Sequence, residues 1–77
     1  MATPKGSESL ADEIVELSRT GKIPIPFRVA DFKRLVHGFE PTHINTVLPN
    51  YEVNGDQVRR GRAARFRRVG HGLYEPV

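Results

Sequence analysis

Six prolines and seven glycines punctuate these 77 residues, and their placement confines the chain to short elements. In "KIPIPF", Pro24 and Pro26 each remove a backbone donor, so the stretch cannot be a central strand. It reads as a short edge strand or an extended connector. Gly21 is a natural helix stop after Arg19. In "HGFEP", Gly38 permits a tight turn, and Pro41 suits the first position of a new helix. Pro49 must then fall in the last turn of that helix or just after it, because an interior proline costs about 3 kcal/mol. Asn54-Gly55 is a further turn signal.

Between these breaks, apolar spacing predicts three helices. The first starts near Ser7–Ser9, with Ser9 and Asp12 spaced as a capping box. Leu10, Ile14 and Leu17 recur at helical spacing, with Ala11 beside them. Glu8, Asp12, Glu13 and Glu16 fill its early turns, where carboxylates suit the helix dipole. A second helix is expected over residues 30–37, with Phe32, Leu35, Val36 and Phe39 as one buried stripe. A third is expected over 41–48 or a little beyond. Residues 1–6 read as a disordered tail and 7–77 as one domain.

The chain closes on "ARFRRV" and "LYEPV" across "GHG", the pattern of a two-stranded antiparallel hairpin. Arg68 breaks strict alternation before Val69, which places a bulge or local twist there. Two strands alone are marginal in water, so this ribbon must lean on the helices, with Phe66, Val69, Leu73 and Tyr74 as the candidate contacts.

The charge is lopsided. Residues 1–54 hold six basic and seven acidic groups, a balance of −1, while 55–77 hold six basic and two acidic, a balance of +4. All six basic groups of the second part are arginines between Arg59 and Arg68. A one-ended basic balance points to a polyanion partner. Arg65, Arg67 and Arg59 are expected on one ribbon face, opposite Ala64 and Phe66. Such a face can bind phosphates or enter a minor groove. The plainer alternative is that it keeps an edge strand soluble.

Projecting residues 41–51 at 100° per residue puts Ile44, Val47, Leu48 and Tyr51 on the core side. Thr42, Asn45, Thr46 and Pro49 gather opposite, with His43 and Asn50 on a flank. Asn suits adenine, and Thr can give a hydroxyl or methyl contact to a base edge. A solvated helix face is the bland alternative. His71 reads as a turn residue adding a donor at the hairpin tip.

Other chemistry is thin. With no cysteine, disulfides and thiolate metal sites are excluded. His37, Glu40 and His43 lack a recognisable metal-ligand spacing, so no metal or other cofactor is expected. No phosphate loop, nucleophile elbow or carboxylate pair placed with a base appears, so the chain is not expected to be an enzyme. The start "MATPKGSESL" lacks the apolar region of a signal peptide, and no apolar run reaches a membrane-spanning length.

Helix, helix, "PTHINTVL" and the hairpin "RFRRVGHGLYEPV" together resemble a winged helix-turn-helix domain. More narrowly, "FRRVGHGLYEP" is similar to the wing of small winged-helix modules attached to restriction-type endonucleases, and to free-standing small actinobacterial DNA-binding proteins, nucleoid-associated ones among them. The resemblance covers about residues 8–77. It implies an α+β fold of three helices with a C-terminal two-stranded antiparallel wing. It also implies double-stranded DNA as partner, a role as a nucleoid-associated architectural protein or transcription regulator, and a cytoplasmic, nucleoid location; a homodimer is compatible with it. The DNA-binding residues would be Thr42, His43, Asn45, Thr46 and Asn50 on the third helix, and Arg59, Arg60, Arg62, Arg65, Arg67, Arg68 and His71 toward the wing. No nuclease domain is present, so the endonuclease role does not carry over. The alternatives are a protein–protein docking module and an RNA-binding winged helix.

Overall fold

The structure, a computed structural model, describes residues 6–77. Within them lie α1 (Ser7–Arg19), α2 (Val29–Phe32), α3 (Pro41–Asn50), α4 (Asp56–Arg59), β1 (Phe66–Gly70) and β2 (Leu73–Pro76). The fold is therefore α+β, with four helical segments rather than three, and an antiparallel two-stranded sheet. No described helix is long and apolar enough to cross a membrane. Apart from Gly6, the tail expected over 1–6 lies outside the described residues.

α1 begins one turn earlier than the Ser9 capping box would place it. Gly6 is its N-cap, and the Gly6 carbonyl accepts the Leu10 N–H at 3.3 Å. Ser9 thus sits inside the first turn, and Ser7 instead shares a 2.9 Å hydrogen bond with the Tyr51 hydroxyl at the end of α3. Leu10, Ala11, Ile14, Val15 and Ser18 form the buried stripe. The helix ends as expected at Gly21. The Lys22 N–H reaches the Leu17 carbonyl (3.0 Å) and the Gly21 N–H the Ser18 carbonyl (3.4 Å), the paired bonds of a Schellman motif. That closure needs a left-handed residue, and Gly21 has φ +75°.

α2 is shorter than expected. The Asp31 carboxylate accepts the Arg28 backbone N–H at 2.9 Å and fixes its start. After Phe32 the chain tightens: the Leu35 N–H bonds back three residues to the Phe32 carbonyl, at 2.8 Å. Leu35 is 44% exposed, while Phe32 and Val36 stay buried. α2 and α3 are consequently joined by residues 33–40, longer than the single Gly turn expected.

α3 matches its predicted span. Val47, Leu48 and the following Tyr51 are buried, Ile44 packs against the core, and Pro49 lies in the last turn. Lacking an N–H, Pro49 leaves the Asn45 carbonyl without its usual intrahelical donor.

α4 was not foreseen. Asp56 stands in its first turn and pairs with Arg60 at 3.4 Å, an i,i+4 contact. A second Schellman closure ends it, from the Arg62 N–H to the Gln57 carbonyl (3.0 Å) and from Gly61 to Val58 (3.1 Å), with Gly61 at φ +101°. Gly55, before α4, has φ −72°, so its need is space rather than conformation. A Cβ there would overlap the backbone carbonyls of Pro49 and Asn50. Gly55→Ala should therefore cost about 1–3 kcal/mol, read from the urea midpoint. A midpoint equal to wild type would show that α4 does not seat against the end of α3.

β1 and β2 pair as Phe66↔Pro76, Arg67↔Glu75, Arg68↔Tyr74 and Gly70↔Leu73, with the register shift at Val69 where a bulge was expected. The bulge turns Val69 outward to 47% exposure, which corrects its assignment as a core contact. The ribbon is held on both edges. Phe27, at the end of the proline stretch, exchanges two 2.8 Å backbone bonds with Tyr74. On the other side, the Val53 N–H reaches the Phe66 carbonyl at 3.0 Å. "KIPIPF" is thus a connector ending in one bridge. Phe27 sits edge-on to both Phe32 and Phe66, at centroid distances of 6.4 and 5.7 Å, so the proline stretch, α2 and the ribbon meet in one aromatic cluster.

Candidate nucleic-acid interface

α3 presents what its sequence promised, with two qualifications. Thr42 and Asn45 are exposed, while Thr46, His43 and Asn50 are half-buried. The Thr46 hydroxyl donates to the Thr42 carbonyl at 2.7 Å, so it is engaged within the helix. His43 turns partly inward, with its Nδ1 buried and unpartnered. Thr42 and Asn45 are therefore the two candidate base-reading side chains that project fully.

The start of the ribbon is hydrogen-bonded to the end of this helix. The Tyr51 carbonyl, at the α3 C-cap, accepts the N–H groups of Arg65 (2.8 Å) and Phe66 (3.2 Å). Along β1, Phe66 is buried while Arg67 and Arg68 are exposed. The Arg68 Nε donates to the Gly70 carbonyl at 3.2 Å, bracing the bulge. His71 is exposed at the hairpin tip, beside Gly72.

The six arginines are not one surface. Arg59 belongs to α4 and Arg60 is its C-cap, so neither lies on the ribbon face where Arg59 was expected. Arg62 lies in the link between α4 and β1. Carboxylates distant in sequence also come close. Arg62 meets Glu8 at 3.4 Å and Arg65 meets Asp12 at 2.8 Å, tying the link to the acidic face of α1. Arg67 faces its cross-strand partner Glu75 at 3.5 Å. Among the described residues, Arg59 and Arg68 have no ion-pair partner. Glu8 and Asp12, spaced i,i+4 on one helix face, are the residues that sequence order concealed; nothing local links them to arginines more than fifty positions away.

These pairs are partly solvent-exposed and so weak. The Asp12–Arg65 pair has side chains 54% and 34% exposed. Asp12→Asn is expected to lower stability by less than about 1 kcal/mol in urea unfolding. A loss well beyond that would mean the pair holds α1 onto the ribbon.

No family model, curated protein or solved structure matches the chain.

Proposed function

We propose that this protein binds double-stranded DNA as a winged helix, with α3 in the major groove and the β1–β2 hairpin as the wing. The observation that carries the reading is the joining of two surfaces at Tyr51. The end of a helix with an uncharged polar face, Thr42 and Asn45, is hydrogen-bonded at Tyr51 to the start of a ribbon that exposes Arg67 and Arg68. Ten residues at about 1.5 Å each give α3 a length of about 15 Å, sufficient to lie across a groove about 12 Å wide. The residues at the start of such a helix usually meet the bases, and the arginines of a wing usually meet the backbone. Arg59 and Arg68, free of carboxylates, together with Arg67 are the phosphate contacts in this reading. Arg60, Arg62 and Arg65 act first as internal partners of Asp56, Glu8 and Asp12. An architectural or regulatory role at the nucleoid follows naturally from a module of this kind.

A mobility-shift titration with random double-stranded DNA and double-stranded RNA tests the reading. DNA is expected to be retarded and RNA not. Retardation of RNA alone would make this an RNA-binding domain, and retardation of neither would leave a protein-docking module.

The two surfaces should fail differently. Asn45→Ala should cost about 1–3 kcal/mol of discrimination at one base position and leave the salt dependence intact. Arg67→Ala should weaken binding to every sequence alike and reduce the salt slope by about one unit. Matched titrations on a selected and a scrambled site read both. If Arg67→Ala erases the sequence preference and Asn45→Ala spares it, the wing is the reader.

A further inference from the structure

The densest run of arginines is mostly compensated, but a second group of cations is not. Arg28, Lys33 and Arg34 stand within seven positions around α2, and all three are exposed. The one carboxylate among them, Asp31, is held by the Arg28 backbone N–H at the helix start. Among the described residues, the side chains of Lys33 and Arg34 have no ion-pair or hydrogen-bond partner. Together with Ala30 they line a groove of about 490 Å³. Residues 30, 33 and 34 all face this groove and so share one side of the turn. The small Ala30 side chain leaves the space between the two cations open. Phe32 and Val36 of the same turn are buried in the core.

We infer that Lys33 and Arg34, across Ala30, form a second anion site, outside α3 and the wing, that takes phosphate groups. The chemistry fits. The planar Arg34 guanidinium can hold two phosphate oxygens at once, and Lys33 adds a compact point charge beside it. At about 490 Å³ the groove is larger than one ion needs, and it is open to phosphates of a backbone or of a free polyphosphate. As a contact to DNA the site rests on the proposed function; as a phosphate site it does not.

The experiment compares wild type with the double variant Lys33→Gln/Arg34→Gln, whose fold is checked by its urea midpoint. One arm titrates inorganic pyrophosphate and follows the backbone amide resonances of residues 30–34. The other measures affinity for a random duplex across salt concentrations. Pyrophosphate is expected to move those resonances in wild type and not in the variant. The variant is expected to lower the duplex salt slope by about 1.8, at about 0.9 for each phosphate left unneutralised. A response in the duplex arm alone assigns the site to the DNA backbone, and one in the pyrophosphate arm alone assigns it to free phosphate compounds. Silence in both arms overturns the site. If wild type fails to bind any duplex, the proposed function falls and the pyrophosphate arm alone decides.

Discussion

Phe66→Ala is expected to lower the unfolding free energy by about 3–5 kcal/mol, the range for truncating a buried aromatic. Phe66 is fully buried and meets Phe27 edge-on at 5.7 Å. It is also where the elements join. Its N–H bonds to the Tyr51 carbonyl at the end of α3, and its carbonyl accepts the Val53 N–H. Its strand partner is Pro76 on β2. The cavity left by alanine would therefore open between the helices and the ribbon, where no single side chain can collapse into it. A domain of this size has a total stability of only about 4–12 kcal/mol, so the variant should be largely unfolded at moderate urea, or without it. Circular dichroism across a urea series measures the loss. A cost below about 1 kcal/mol would mean that the ribbon is not packed on the helices.

The second large effect is on binding. Replacing Arg59, Arg67 and Arg68 together by Gln should reduce the slope of log affinity against log salt by about 2.7, from about 0.9 for each phosphate that is no longer neutralised. Stability should hardly change. All three side chains are exposed, and the contacts that the change removes, the Arg67–Glu75 pair and the Arg68 Nε–Gly70 hydrogen bond, lie at the surface. The matched control is Arg60→Gln/Arg62→Gln, which removes as dense a piece of the basic run but cations already facing Asp56 and Glu8. It is expected to have the smaller effect per arginine. Equal effects per residue would show that the internal pairs open on DNA and that the whole run acts as one basic patch.

The parts of this fold legible in the sequence are those whose signals are local. Pro41 and the spacing of Ile44, Val47, Leu48 and Tyr51 mark α3, and the "GHG" turn marks the hairpin. Even the Val69 bulge shows as a break in alternation. α4 escaped because it is a single turn with no buried residue, so no apolar period exists to reveal it. Its markers, Asp56 at the start and Gly61 at the end, read along the chain as charge and turn. α2 was overextended because Leu35 sits at helical spacing, and spacing cannot report a tightened turn after Phe32. On the candidate site, the α3 face was visible as residue types on one side of a helix. The pairing of Arg62 and Arg65 with Glu8 and Asp12 was not, since it depends on how the link after α4 folds back over α1. Sequence density overstated the hairpin and passed over Lys33 and Arg34, which are few along the chain but without ion-pair partners among the described residues.

The central claim is that exposed cations of this protein neutralise DNA phosphates, and it is tested most directly by the affinity of the wild-type protein for a random duplex between low and physiological salt. Phosphate contacts from Arg59, Arg67 and Arg68 predict a slope near −2.7, made steeper by any contribution from Lys33 and Arg34, at about −0.9 per phosphate. A slope shallower than about −1, or no measurable binding at low salt, would contradict the account.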